Sequence, residues 1–232
     1  MGCNHSKDPY DKHTVENQKL SQYEKKLGLN KYSISSYEIA IRRISNAVNL
    51  PEIVISQFQH SLDLQLKREY KEALSSFLST SPTTSIAKLL VSAILFGKGT
   101  DREKGEALWF AFDKDASEVL PLASIKDMVK TILQCSFIVT LDSAIKVEFY
   151  NTNRLTTWKS KLLERMSSLE VKLAKYFLQE QPTVSKADFL EKMKKPDGFI
   201  TNPEYIRSML EHTQVIPDKF ANPFKAMKIT KL

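Results

Sequence analysis

The sequence predicts a mainly α-helical fold built from pairs of helices. It has only 6 glycines among 232 residues, which is unlike a turn-rich all-β protein. Apolar residues recur at i, i+4 and i+7 in successive segments of about ten residues, the spacing that places them on one helix face. Residues that cap helices stand at the start of several of these segments. The chain is also long enough to bury a core in one large domain or two small ones.

The first 33 residues are predicted to be an N-terminal lead outside the helical body. Residues 7–33 are polar and contain few large apolar side chains, so we expect them to be extended or weakly helical. Ser35 and Ser36 then predict the N-cap of a helix. Its apolar face is carried by Tyr37, Ile41 and Ile44.

Two further helices are predicted before residue 79. Pro51 and Glu52 favour a helix start, since proline is compatible with the first helical turn. Its apolar face would be formed by Ile53, Val54, Phe58 and Leu62. The next helix is predicted from about Leu66 to Phe77, and the polar segment 79–84 ends it.

The centre of the chain gives the clearest helical signals. A strongly apolar helix is predicted from Ile86 to Phe96. Thr100 and Glu103 have the spacing of a capping box and predict the start of the next helix. Residues Leu122 to Leu133 predict another.

The last third of the chain is less uniform. Residues 136–157 predict either short strands or a long connection. Three helices follow, from Trp158 to Phe177, from Ser185 to Met193, and from Pro203 to about His212. Residues 213–232 are expected to be an extended basic tail.

Charge and cysteine content narrow the class of protein. The net charge is +7, but the basic residues are scattered, which allows anionic lipid as a partner and does not predict nucleic-acid binding. The two cysteines, Cys3 and Cys135, are too few for a disulfide framework and fit a reducing compartment. The apolar stretch Ile86 to Phe96 is too short to span a bilayer. No catalytic motif is present, so we do not expect an enzyme.

The chain opens with Met1-Gly2-Cys3-Asn4-His5-Ser6, which matches the N-myristoylation pattern. After removal of Met1, Gly2 would offer its amine for acylation. Cys3 would then lie at the bilayer and could receive palmitate. One myristoyl chain gives only marginal membrane binding, and a second acyl chain makes it durable. The sequence therefore predicts a protein on the cytoplasmic face of a membrane, with the plasma or ciliary membrane possible locations.

Gly99-Thr100, Glu103-Lys104, an aromatic helix and Asp113-Lys114-Asp115 follow one another along residues 99–129. This run, with two neighbouring segments, resembles the EF-hand proteins of the neuronal calcium sensor and calcineurin-B-like families. Residues 99–129 are similar to their third hand, 89–95 to the exiting helix of the second, and 184–193 to the exiting helix of the fourth. The resemblance covers roughly residues 77–195. It implies paired helix–loop–helix units, an N-terminal and central set over 34–134 and a C-terminal set over 135–212. It also implies an apolar groove that receives an amphipathic helix from a protein partner.

The loops of this resemblance lack most calcium ligands. Over residues 113–124, Asp113, Asp115 and Ser117 occupy positions 1, 3 and 5. Position 6 is Glu118 where glycine is required, and position 12 is Ser124 where a bidentate glutamate is required. The corresponding loops 77–88 and 177–188 begin with phenylalanine and have proline at position 6. We therefore expect no cofactor, with weak calcium binding at 113–124 as the alternative.

The sequence thus predicts a membrane-tethered, calcium-independent adaptor that binds a protein partner. The residues predicted to line the groove, each of which could equally be core, are Leu90, Ile94, Trp109 and Phe112. Two alternatives remain open from the sequence. One is a weak calcium sensor with its site at 113–124, and the other is a structural component of a cytoskeletal or ciliary assembly.

Overall fold

The computed structural model describes residues 14–48, 52–54, 83–113, 115–179, 181–194 and 200–213; of residues 43–48, 52–54, 83 and 84 it describes the backbone only. These residues form a mainly α-helical protein, as predicted. The helices are α1 Val15–Leu27, α2 Ile34–Val48, α3 Ile86–Phe96, α4 Asp101–Phe112, α5 Leu122–Leu133, α6 Thr140–Lys146, α7 Thr152–Leu178, α8 Lys186–Met193 and α9 Pro203–His212. The strands are β1 Glu52–Val54, β2 Thr83–Ser85, β3 Val119–Pro121 and β4 Thr183–Ser185.

Several predicted helices have the predicted bounds. Helices α3, α5 and α9 begin and end where their apolar periodicity indicates. The predicted capping box is formed at α4, where the Glu103 amide donates to the Thr100 hydroxyl at 3.3 Å and the Thr100 amide donates to the Glu103 carboxylate at 2.7 Å. Helix α7 is longer than predicted and begins at Thr152.

The prediction of an extended or weakly helical lead is wrong for residues 15–27, which form the packed helix α1. The Thr14 side chain caps its first turn, and Gly28 ends it in the left-handed conformation with φ 72°. Leu20, Tyr23 and Leu27 are buried, but so are the polar residues Asn17 and Ser21. Leu20, Tyr23 and Leu27 have helical spacing, but because polar residues share the buried face, the apolar stripe has only these three members.

A buried arginine joins α1 to the C-terminal helix α9. The Arg207 side chain is fully buried, and its guanidinium donates to Glu24 at 2.5 and 3.2 Å. It also donates to the Asn17 amide oxygen at 2.7 Å and the Ser21 hydroxyl at 3.0 Å. Burial raises the pKa of Glu24, and the charge of Arg207 opposes that change. Every guanidinium nitrogen is therefore used to fix α1 against the body.

Residues 136–146 are helical, so the prediction of strands or a connection is wrong there. A π-helical segment, Gln134–Val139, joins α5 to α6 without a break. The wider π-helical turn leaves backbone carbonyls that can accept from side chains. The Ser136 carbonyl accepts from the Arg207 guanidinium at 2.8 Å, and the Cys135 carbonyl accepts from the Thr140 hydroxyl at 2.8 Å. The predicted boundary between residues 134 and 135 falls inside this helix.

The joined helix is longer than the apolar stretch noted in the sequence. It spans Leu122–Lys146, 25 residues, and its most apolar window has a mean hydropathy of 1.4. That length and composition would cross a bilayer, but 67% of the window is buried inside the protein. A central helix of a folded domain meets the same criteria, so this helix gives only weak evidence about a membrane.

The predicted helix start at Pro51 and Glu52 is also wrong in part. Residues Glu52–Val54 form β1, which pairs with β2 in antiparallel orientation, with Ile53 opposite Thr84. The remainder of that predicted helix and the predicted helix from Leu66 to Phe77 lie outside the described residues, as does most of the predicted tail 213–232.

Candidate functional site

The two C-terminal loops are joined through their centres. Strand β3 pairs with β4 in antiparallel orientation, with Leu120 opposite Val184. Both side chains are buried, at 1% and 4% exposure. Counted from residues 113 and 177, each is the eighth residue of its loop.

Two hydrogen bonds continue this pairing symmetrically beyond the strands. The Lys186 amide donates to the Glu118 carbonyl at 3.2 Å, and the Leu122 amide donates to the Pro182 carbonyl at 3.1 Å. In each case the tenth residue of one loop donates to the sixth residue of the other. The two loops are therefore related by an approximate two-fold axis through Leu120 and Val184.

The N-terminal pair of strands has a related register. Thr84 is the eighth residue of the loop 77–88, and it lies opposite Ile53. Helix α2 precedes β1, helix α3 follows β2, and these two helices pack against each other. In the C-terminal set, α4 packs against α8 and α5 against α7. The helix before one strand of each pair thus packs against the helix after the other strand.

The first carboxylate of the loop 113–124 is engaged in holding the loop together. Asp113 accepts from the Trp109 indole at 3.0 Å and from the Glu118 amide at 3.2 Å through Oδ2, and from the Ser117 amide at 3.1 Å through Oδ1. Hydrogen bonds from the hydroxyl and amide of Ser117 lower the pKa of Asp115. These carboxylates act as acceptors for the loop backbone.

The donor set of this loop does not fit a tightly bound calcium ion. Asp113, Asp115 and Ser117 supply three side-chain oxygens, but Ser124 has no carboxylate to close the site. Glu118 keeps the left-handed conformation of the sixth position, with φ 57°, although it is not glycine. Within the described parts of the chain, no group of three His, Cys, Asp or Glu side chains is placed to hold a metal.

An apolar groove lies between α2, α3 and α4. It has a volume of about 230 Å³ and is lined by Ile34 and Ile41 of α2, Leu90 and Ile94 of α3, and Ala107 and Phe110 of α4. Phe110 is 56% exposed. An ion pair between Glu38 and Arg42, at 2.7 Å, stands at its edge. The groove therefore combines an apolar floor with a charged rim.

Of the predicted groove residues, Leu90 and Ile94 line the groove. Leu90 is half-buried, whereas Ile94 is 1% exposed and belongs to the core as well. Trp109 and Phe112 lie in the core at 0% and 5% exposure, the alternative stated for them, and Trp109 contacts the Phe189 ring at 5.5 Å between centroids. Phe110 was missed because it lies off the Trp109–Phe112 stripe. An aromatic residue on the outer face of an amphipathic helix was the signal that could have found it.

The predicted lipidation residues, Gly2 and Cys3, lie outside the described residues. The other cysteine is unsuited to acylation. Cys135 is 1% exposed, and burial raises the pKa of its thiol to about 11. A lipid on a cysteine of this protein would therefore have to be carried by Cys3.

Comparisons of the chain with protein-family models, curated proteins and solved structures find no match.

Proposed function

We propose that this protein is a membrane-tethered adaptor of EF-hand-like construction that binds a helix of a protein partner without calcium. The observation that carries the proposal is the pairing of the loops 113–124 and 177–188 through their eighth residues, Leu120 with Val184, together with the pairing of Thr84, the eighth residue of the loop 77–88, with Ile53. Such pairing joins helix–loop–helix units two by two, as the EF-hand resemblance implies. Here the same pairing occurs in loops whose ligand positions are mostly occupied by residues that cannot bind calcium.

The proposed independence from calcium is supported by the composition and hydrogen bonds of the loop 113–124. Its position 12 is Ser124, which has no carboxylate, and the Asp113 carboxylate bonds the Ser117 and Glu118 amides directly. The symmetric bonds between Glu118, Lys186, Pro182 and Leu122 then fix the two loops to each other. Isothermal titration of the purified protein with millimolar calcium should give no binding heat. A measurable site would favour the weak calcium sensor instead.

The groove between α2, α3 and α4 is the proposed partner site. Its floor is mostly buried, with Ile34, Ile41 and Ile94 at 7%, 1% and 1% exposure, and Phe110 at its rim exposes an aromatic ring to solvent. An amphipathic helix of the partner would insert large apolar side chains spaced at i, i+4 and i+7. Basic and acidic side chains on that helix would complement Glu38 and Arg42 at the edge.

Gly2 and Cys3 are the proposed membrane anchor. Membrane pelleting in cells should be lost in a Gly2→Ala variant, because palmitoylation of Cys3 requires prior contact with the bilayer. Unchanged pelleting, or an intact-mass spectrum with an unmodified amino end, would contradict the anchor. Retention in a detergent-resistant cytoskeletal fraction would favour the structural component instead.

The groove can be tested separately with two matched variants. Phe110→Ser removes an exposed ring from the groove, and Leu163→Ser removes a side chain of similar exposure, 39%, from α7. Partners captured by crosslinking to the wild type should be lost with Phe110→Ser and kept with Leu163→Ser. The affinity for the purified partner should be lower in the Phe110→Ser variant than in the wild type and unchanged in the Leu163→Ser variant. Equal capture by all three proteins would contradict the groove.

A further inference from the structure

The described body begins and ends at one place. The hydroxyl of Thr14, its first residue, donates to the Glu211 carboxylate at 2.5 Å, two residues before the last described residue, Thr213. Thr14 and Thr213, the first and last described residues, therefore lie at the same end of the body, and Gly2 and Cys3 precede Thr14 in the chain. Gly2 is twelve residues from Thr14, so an acyl chain on it holds this end of the body within about 40 Å of the bilayer.

The same end carries a basic stripe on α7. Its members are Arg154, Lys161, Arg165 and Lys172, at i, i+7, i+11 and i+18, which places them on one side of the helix along about 27 Å. Arg154, Lys161 and Lys172 are exposed and Arg165 is half-buried. The acidic residues of α7, Glu164 and Glu170, lie roughly 80° and 160° around the helix from Arg154 at about 100° per residue.

The stripe borders the place where the chain ends meet. A cleft of about 560 Å³ is lined by Thr14, Arg154, Trp158, Lys161, Arg165 and Glu211. Several of its charged groups are already bonded. Glu16 pairs with Arg154 at 2.6 Å, Arg165 donates to the Leu210 and Glu211 carbonyls, and Glu211 accepts from Thr14 and from the Trp158 indole at 2.9 Å. The three basic side chains of the cleft exceed its two carboxylates by one positive charge, and Lys172 adds a second along α7.

The sequence after the described body is also basic. After Asp218 it carries Lys219, Lys225, Lys228 and Lys231 and no acidic residue. The structural argument depends on the described residues alone: the basic stripe begins beside Thr14, and the acylation signature precedes Thr14 in the chain.

We propose that the stripe of Arg154, Lys161, Arg165 and Lys172 binds an anionic lipid leaflet, with the body lying against the membrane on the end where its two termini emerge. The proposal rests on the proposed membrane anchoring and assigns it a second contact. An acyl chain combined with basic side chains binds a membrane durably where either alone binds weakly. Anionic lipid attracts basic side chains within a Debye length of the surface. The anchor confines the stripe to within about 40 Å of the bilayer, and the attraction stabilises the orientations that bring it within the Debye length of about 10 Å.

The test uses full-length acylated protein and vesicles of phosphatidylcholine with or without phosphatidylserine. A Lys161→Gln/Lys172→Gln variant removes two charges from the stripe. A Lys88→Gln/Lys98→Gln variant removes two exposed charges from α3 and the loop after it. Circular dichroism establishes that both variants are folded. At low salt, the stripe variant should bind phosphatidylserine vesicles roughly 25-fold more weakly than the wild type, and the control variant should bind about as well as the wild type.

Other results would contradict the proposal that the stripe binds the bilayer. Equal losses in the two variants would mean that only net charge matters, and no loss in either would mean that the stripe does not face the bilayer. Wild-type binding that does not weaken with salt would also contradict it. The Gly2→Ala protein separates this inference from the anchor. If it binds as tightly as acylated protein, the proposed anchor is contradicted. If the acylated stripe variant binds as tightly as the wild type, the proposed lipid contact of the stripe is contradicted.

Discussion

Arg207 of α9 and Glu24 of α1, 183 residues apart in the chain, form a buried ion pair through two hydrogen bonds of 2.5 and 3.2 Å. The Arg207 side chain is 0% exposed and that of Glu24 is 11% exposed. The pair closes the body by fixing its first helix against its last. Its contribution can be measured because an exposed pair of the same type, Arg42 with Glu38, is available for comparison.

Arg207→Met should lower the free energy of unfolding by about 3–5 kcal/mol, because it leaves Glu24 buried without its partner. A double variant with Glu24→Gln should recover part of that loss, since no buried charge remains. Arg42→Met removes a pair whose arginine side chain is 67% exposed and should cost under about 1 kcal/mol. Urea unfolding monitored by circular dichroism measures all three. A small effect of Arg207→Met would contradict the clamping of α1.

Calcium binding should appear when the two missing residues of the loop 113–124 are supplied. Ser124→Glu provides the bidentate carboxylate, and Glu118→Gly provides the glycine at the turn. We expect the double variant to bind calcium with a dissociation constant of about 10⁻⁵–10⁻³ M, and the wild type to show no heat in the same titration. Ser124→Gln is the matched control. A silent double variant would contradict the EF-hand-like assignment of this loop.

Glu118→Gly alone should stabilise the protein by up to about 1 kcal/mol. Glu118 has φ 57°, in the left-handed region that costs a non-glycine residue about 1–2 kcal/mol, and glycine gives back part of this gain as chain entropy in the unfolded state. Glu164→Gly, on the exposed surface of α7, should instead destabilise by about 1 kcal/mol. In thermal unfolding, the melting temperature should be higher for Glu118→Gly and lower for Glu164→Gly than for the wild type.

Gly97→Ala should destabilise the protein markedly more than Gly105→Ala. A Cβ at residue 97 would lie 2.3 Å from the Ala93 carbonyl oxygen, a backbone atom that cannot turn aside. A Cβ at residue 105 would meet the Leu190 methyl group at 3.1 Å, and that side chain can adjust. In the interior of α4, alanine is also more favourable than glycine by about 1 kcal/mol, because of its higher helix propensity. Similar losses in urea unfolding would contradict this distinction.

The capping box of α4 should make stability depend on acid. Hydrogen bonds from the backbone and side chain of Thr100 lower the pKa of Glu103 from its usual 4.5. Since the folded protein holds the ionised form, Glu103 stabilises it above the unfolded pKa, and that contribution is lost as pH falls through the folded pKa. Glu103→Gln keeps an acceptor at every pH. Wild type should therefore lose stability relative to Glu103→Gln as the pH falls through 4.5 and on through the lower pKa of Glu103 in the folded protein.

Helices with an apolar stripe and a local cap could be predicted from the sequence. The stretch Ile86–Phe96 and the Thr100–Glu103 box are specified by residues within one or two turns. Helix α1 was missed because Asn17 and Ser21 are buried by Arg207, almost two hundred residues away. Its caps, Thr14 and Gly28, were the available local signal.

Distant partners also explain the errors at β1 and at the π-helical segment. Ile53 and Val54 form a strand because β2 lies opposite them, and no neighbouring residue specifies that pairing. Ile138, Val139 and Thr140 have the β-branched composition of a strand, but the joined helix is buried between α1, α7 and α9. At the groove, periodicity found Leu90 and Ile94 and placed Trp109 on a buried face. It could not find Phe110, whose importance comes from its exposure.

The clamp of α1 by α9 has a consequence for synthesis on the ribosome. Residues 15–27 leave the ribosome early. Arg207, which bonds their buried polar side chains, is translated about 180 residues later. The fold can therefore close only when nearly the whole chain has been made. Until then α1 is not docked, and its polar residues Asn17 and Ser21 are bonded to water instead of Arg207.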